Sequence, residues 1–199
     1  MTKRACILLG SPRRDGNTEQ LVQQCIPRLE EAGIVCETIR LYGRDIRPCL
    51  ACRQCQQDWT RVNCCQQDEM QEIFDAVQAC DLLLFASPVY SWYCTAPTKA
   101  VMDRLIYGCC KYYGNQRGPS LLAGKKAAII TTCGYRPEQG ADLWEQGVQR
   151  YCKHAQMSYL GMLAERHRSY TEEFMNDEKA QHARAFAEQL VTAIEGENE

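Results

Sequence analysis

Two stretches of this sequence hold residues whose types and spacing can do chemistry. The first, Ser11-Pro12-Arg13-Arg14-Asp15-Gly16-Asn17-Thr18, follows the apolar run Cys6-Ile7-Leu8-Leu9-Gly10 and leads into a helical pattern starting at Glu19-Gln20-Leu21-Val22. A strand, a glycine-containing polar loop and a helix, in that order, build an anion site. The first amides of a helix have no intrahelical partners, and the helix dipole adds partial positive charge at the same end. Ser11, Asn17 and Thr18 add side-chain donors, and Arg13 or Arg14 adds a charge-assisted bond to a phosphate oxygen. The loop is not a Walker A, because no Gly-Lys-Ser/Thr closes it, and it is not a Gly-x-Gly-x-x-Gly fingerprint. The plainer reading is a strand-to-helix turn capped by Asn17 or Thr18.

The second stretch is a knot of thiols. The chain has 14 cysteines, a disulfide framework in a small secreted protein but not in a chain long enough to build a core. Cys6, Cys25, Cys36 and Cys80 fall in periodic apolar segments, where a reduced cysteine acts as a small hydrophobe. Cys49, Cys52, Cys55, Cys64 and Cys65 crowd into one stretch without periodicity. Four thiolates at Cys-x-x-Cys spacing can close a tetrahedral zinc site; an ordered cysteine-rich loop without metal is the bland alternative.

Elements must position both stretches. Beyond the first strand, apolar residues recur at helical spacing over 19–32, with Pro27 predicting a kink and Gly33 a stop. Residues 34–41 alternate as an edge strand, and 42–67 form a long connection that its cysteines and Trp59 mark as ordered. Helix 68–79 turns Met70, Ile73, Phe74 and Val77 to one side. The continuous apolar run 81–86 reads as a central parallel strand. A helix over 95–107, capped by Thr95, carries Ala100, Val101, Met102, Leu105 and Ile106, more apolar surface than one sheet contact needs. After an irregular stretch at 108–122 come strand 126–132, helix 142–154, strand 157–163 and helix 176–194. Five strands alternating with helices, without linker or repeat, predict one doubly wound α/β domain over 1–199.

In such sheets ligands bind outside the carboxyl ends of the strands, at the switch point in strand order. Three of these ends are polar or aromatic: Ser11 to Thr18, Ser87-Pro88-Val89-Tyr90-Ser91-Trp92, and Thr131-Thr132-Cys133-Gly134-Tyr135. Together they suit a phosphorylated, flat, aromatic ligand, with backbone groups meeting the ring edge and Tyr90 or Trp92 covering its face.

These residues carry a resemblance. Gly10-Ser11-Pro12-Arg13…Gly16-Asn17-Thr18 and Ala86-Ser87-Pro88-Val89-Tyr90, followed by Pro97-Thr98-Lys99-Ala100-Val101-Met102-Asp103-Arg104, resemble the flavodoxin-like NAD(P)H-dependent FMN reductases, and within them the iron–sulfur flavoprotein branch. The resemblance covers roughly residues 4 to 165. It implies a three-layer sheet of five parallel strands in the order 2-1-3-4-5. It also implies FMN, with its phosphate on Ser11, Arg13, Gly16, Asn17 and Thr18. The flavin ring would lie along Pro88, Val89, Tyr90, Ser91 and Trp92 and against Thr132, Cys133 and Gly134. Cys49-x-x-Cys52-x-x-Cys55 matches the start of that branch's motif for a [4Fe–4S] cluster, with Cys64 as fourth ligand at a spacing slightly longer than the branch uses.

Composition sets the remaining bounds. At 199 residues, 45% hydrophobic, 24% charged and a formal net charge of -2, the chain suggests neither nucleic-acid nor membrane-surface affinity. Thr2-Lys3-Arg4 precede only the short apolar run Ala5 to Leu9, too little for a signal peptide, and no run approaches a membrane span. The expected setting is the cytoplasm, and the expected assembly a homodimer or homotetramer. His154, His167 and His182 share no motif and read as surface or structural; no acid–base or nucleophilic constellation is apparent. The function expected is an FMN-dependent oxidoreductase taking hydride from NAD(P)H and reducing a quinone, flavin or other small acceptor, with no catalytic acid–base residue. The alternative is an iron–sulfur flavoprotein that carries electrons between protein partners.

Overall fold

The computed structural model describes residues 2–169 and 171–196. Five strands form one sheet: β1 (Arg4–Leu9), β2 (Val35–Arg40), β3 (Leu82–Pro88), β4 (Lys126–Cys133) and β5 (Ser158–Arg166). The order is β2-β1-β3-β4-β5, and every pairing is parallel. Between them lie α1 (Asn17–Glu31), α2 (Met70–Ala79), α3 (Ala96–Cys109), the short α4 (Pro137–Gly140), α5 (Asp142–Ala155) and, last, α6 (Asp177–Glu195). The predicted order is therefore met, with α4 as an extra turn.

The pleat divides the core. Successive strand residues face opposite sides, so Cys6, Leu8, Leu83, Phe85, Ala127 and Ile129 meet α2, α3 and α5, while Ala5, Ile7, Leu9, Leu84, Ala128 and Ile130 meet α1 and α6. β3 is buried over its whole apolar length because helices cover both faces. The anticipated buried side of α2 is the observed one, Met70, Ile73, Phe74 and Val77. α1 runs unbroken through Pro27. It ends with the Gly33 amide on the Glu30 carbonyl (2.8 Å) and the Ile34 amide on the Leu29 carbonyl (3.0 Å), a Schellman closure with Gly33 at φ 75°.

Three expectations change. Neither Asn17 nor Thr18 caps α1; Gly16 holds the cap position and makes no side-chain bond there. Thr95 occupies the cap of α3, but its hydroxyl donates to the Gly10 carbonyl (2.8 Å) instead of capping the helix. The apolar side of α3, expected to exceed what one sheet contact needs, is largely used within the chain: Val101, Met102 and Leu105 are buried in the core and Ala100 and Ile106 half-buried.

The long stretch after β2 is ordered by specific ties, as its cysteines and Trp59 suggested. A 3₁₀ turn at Gln54–Gln56 is pinned to the end of α3: Gln56 Nε2 donates to the Tyr107 and Cys110 carbonyls, and buried Lys111 donates to the Cys55 carbonyl (2.7 Å). Trp59 packs where a side chain on Gly118 would otherwise sit.

Gly10 marks the tightest junction. A Cβ there would lie 1.9 Å from Thr98 Oγ1 and 2.9 Å from Thr95 Oγ1, both on buried, β-branched side chains. Gly10→Ala is expected to cost about 1–3 kcal/mol through overpacking. Adding Thr98→Ala should recover part of that loss in urea unfolding, whereas independent, additive losses would show that the two residues do not press on each other.

Candidate functional site

The carboxyl ends of β1, β3, β4 and β5 enclose a cleft of about 270 Å³. Its floor is the loop after β1. Ser11 is 4% exposed, and its Oγ bonds with both the amide and the carbonyl of Arg13 at 3.3 Å, which curls the loop. Gly16 lies beneath that curl: a Cβ on it would meet Arg13 Cβ at 3.0 Å and Ser11 Oγ at 3.2 Å. The bare backbone thus leaves room before the first turn of α1, whose opening amides have no intrahelical acceptors. An anion placed there meets amides, hydroxyls and the Arg13 guanidinium together, with the helix dipole behind them.

A buried hydroxyl pair ties the floor to the wall. Thr18 Oγ1 and Thr132 Oγ1 are 2.8 Å apart, so one hydroxyl donates to the other and the second keeps a hydrogen for the cleft. Thr131 Oγ1 donates to the Ser87 carbonyl (2.7 Å), joining the ends of β3 and β4. Pro88, Val89 and Tyr90 form one wall and Thr132, Cys133 and Gly134 another. Burial pushes the Cys133 thiol up to about 11, outweighing nearby Arg166. It is therefore a protonated wall residue, and its Sγ donates to the Tyr135 carbonyl (3.2 Å).

The structure brings Ser11, Arg13, Gly16, Asn17, Thr18, Pro88, Val89, Tyr90, Thr132, Cys133 and Gly134 into this cleft. Ser91 and Trp92 it does not; they line an adjoining hollow of about 140 Å³ that shares Val89, Cys133 and Gly134. The reason is the turn they occupy. Tyr90 and Tyr93 exchange backbone bonds (2.8 and 3.1 Å), and Ser91 and Trp92 between them have φ of 51° and 61°, the pattern of a type I′ turn. That turn swings Trp92 outward, where it stacks on Tyr135 at 5.9 Å.

Pro12, His167, Arg168 and Ser169 also line the cleft. His167, read as surface or structural, therefore lies at the cleft. β5 runs to Arg166, three residues beyond its expected end, and the His167 amide bonds to the Cys133 carbonyl (2.9 Å). The visible signal was Glu165-Arg166-His167-Arg168 after an apolar strand, which reads as a loop unless the strand's register is known. His154 and His182 stay apart from the cleft, on Tyr113 (2.6 Å) and Glu165 (2.8 Å) respectively.

All five cysteines of the second stretch line one small void of about 20 Å³, room for a single water. Cys52 and Cys65 have sulfurs 3.3 Å apart, Cys49 Sγ accepts the Ala51 amide (3.4 Å) and Cys55 Sγ donates to the Tyr107 carbonyl (3.0 Å). Arg104 donates to Cys64 Sγ at 3.2 Å. Among the described residues no group of three or more His, Cys, Asp or Glu is arranged to hold a metal ion. A closed zinc site needs sulfurs about 3.8 Å apart in fours, from Zn–S bonds of about 2.3 Å. A cubane takes four thiolates at its separate corners, and five cysteines beside a buried arginine suit it in donor chemistry, although the void as it stands admits a single water.

Fold and cleft define a flavodoxin-like domain with an anion cradle at the switch point of its sheet. A family model described as NADPH-dependent FMN reductase matches residues 4–163. The chain belongs to that family. It is 30% identical over 135 residues to an iron–sulfur flavoprotein of Archaeoglobus fulgidus, a match covering 67% of this chain and 57% of that one. It is 35% identical over 95 residues to an iron–sulfur flavoprotein of Methanocaldococcus jannaschii, 48% of each chain. The matches thus span about half the length of these curated relatives. Among solved structures, the NAD(P)H:quinone oxidoreductase from Methanothermobacter marburgensis superposes with a TM-score of 0.74 at 18% identity, covering 96% of both chains, which speaks for the fold. No helix among the described residues is long and apolar enough to cross a membrane.

The raised Cys133 thiol has a consequence that labelling can read. At pH 8 a thiol with a pKa of about 11 is about one part in a thousand thiolate, the reactive form. Exposed Cys52, whose thiol is lowered chiefly by the Gln54 amide and then by Cys65, is expected to react with iodoacetamide much faster. Peptide mapping should show Cys133 labelling rise as pH climbs toward 11; equal rates at pH 8 would contradict the assignment.

Proposed function

We propose that this protein is an FMN-dependent oxidoreductase that takes hydride from NAD(P)H and reduces a quinone, a flavin or another small acceptor. The observation that carries the reading is the cleft itself, an anion cradle on α1 continuous with a slot between the β3 and β4 loops. FMN bound there supplies the hydride-accepting ring; the chain supplies position and surroundings. In this reading Ser11, Arg13, Asn17 and the amides of α1 hold the phosphate. The Thr18–Thr132 pair keeps the two loops in register, and Pro88 to Tyr90 with Thr132 to Gly134 flank the ring. In this reading the flavin carries the hydride chemistry, and no residue of the cleft is assigned a proton transfer.

A second reading, an electron carrier between proteins, draws on the cysteine pocket and on the relatives called iron–sulfur flavoproteins. A net charge of -2 offers little for docking by long-range attraction, which favours the enzyme. We also read the chain as one cytoplasmic domain that assembles as a homodimer or homotetramer. The exposed aromatic rim of Tyr90, Trp92 and Tyr135, beside the cleft, supports assembly better than α3 does.

The test begins with binding. Wild-type protein should bind FMN, and Ser11→Ala should weaken it about ten- to a hundredfold, because it removes the hydroxyl that curls the cradle on Arg13. Adding NAD(P)H without any partner protein should bleach the flavin absorbance. Protein that neither contains nor binds FMN defeats the proposal; bound flavin that only a partner protein reduces favours the carrier.

A further inference from the structure

The cysteine pocket contains a charge that its own surroundings only half explain. Arg104, in the third turn of α3, is 2% exposed, and the side chain of its ion-pair partner Asp68 is fully covered. NH1 serves Asp68 and the Arg47 carbonyl (3.2 Å), and Asp68 is further fixed by the Arg47 amide (3.1 Å). Burial alone would push the Asp68 carboxyl up, but the Arg104 bond and the Arg47 amide outweigh it and hold it below its usual value. The carboxylate accordingly uses one end of the guanidinium. The other end, NH2, is aimed at Cys64 Sγ, 3.2 Å away, and Nε is buried with no partner.

A neutral thiol is a weak acceptor, poor compensation for burying half of a guanidinium. A ligating cysteine is a thiolate, and its sulfur is a charge-assisted acceptor that suits such a donor. Cys65, one residue on, is exposed, and its sulfur sits instead against Cys52. The two candidate fourth ligands are therefore not equivalent: the fold addresses a buried cation to one of them.

We propose that Arg104 is a positioning residue that selects Cys64, not Cys65, as the fourth thiolate of the pocket, and that its N–H···S bond raises the reduction potential of the cluster held there. This rests on the reading of the pocket as a [4Fe–4S] site. A cluster with four thiolates is anionic and gains a further negative charge on reduction, so a hydrogen bond from a fixed cation stabilises the reduced form more than the oxidised one. Lysine in place of Arg104 can still pair with Asp68, but as a single point donor it cannot also fork to Cys64.

The experiment uses the full chain, reconstituted anaerobically with iron, sulfide and FMN, and reads metal content and an EPR-monitored redox titration. Wild type should hold about four iron and four sulfide per chain. Cys65→Ser should keep them, and Cys64→Ser should lose them, with FMN retained in both. Arg104→Lys should keep the cluster and shift its midpoint to a more negative potential, leaving the flavin potential in place. An unchanged cluster potential in Arg104→Lys, or cluster loss in Cys65→Ser with retention in Cys64→Ser, overturns the proposal while the cluster reading stands. Should Arg104→Lys fail to fold, the two serine variants decide the selection of Cys64 alone. Wild-type protein that takes up no iron overturns both.

Discussion

The junction at Gly10 is the constraint on which the rest of the molecule depends. The chain leaves β1 there with no side chain, because the start of α3 occupies that space. Thr95 Oγ1 donates to the Gly10 carbonyl, shares a 3.0 Å contact with Thr98 Oγ1, and lies 3.3 Å from Ser87 Oγ, which in turn accepts the Thr95 amide (3.0 Å). Buried hydroxyls must be satisfied, and here they satisfy one another. One small polar knot thereby fixes the end of β1, the end of β3 and the first turn of α3.

Both candidate sites inherit their geometry from that knot. The loop after Gly10 becomes the floor of the cleft, and the loop after Ser87 becomes the wall that faces it. From the same origin α3 runs along the sheet and delivers Arg104 to Cys64 and the Tyr107 carbonyl to Cys55 and Gln56. A helix is a rigid rod over this length, so the junction at Gly10 and the cysteine pocket are held at a set separation by α3.

Much of this was legible in the residues alone because it rests on local physics. Strand and helix periods, the Gly33 stop and the buried side of α2 follow from patterns a few residues long, and the observed elements agree with them. The cradle was legible for the same reason, since Ser11, Arg13, Gly16, Asn17 and Thr18 lie within one loop and one helical turn. The strand order came through resemblance, as no local pattern states which strand lies beside which.

What the sequence by itself determined was the set of donors and thiols and the elements bearing them. Only the tertiary structure decided which of them face one another. It carried β5 far enough to put His167 at the cleft, because strand length is set by pairing with β4 through Cys133↔Arg166. It turned Ser91 and Trp92 away, because a two-residue turn between Tyr90 and Tyr93 demands left-handed backbone at both. It employed the Thr95 hydroxyl on Gly10, and it aimed Arg104 at Cys64, forty residues away in sequence and 3.2 Å away in space. Such pairings arise from packing across the sheet, where distance along the chain carries no information about distance in space.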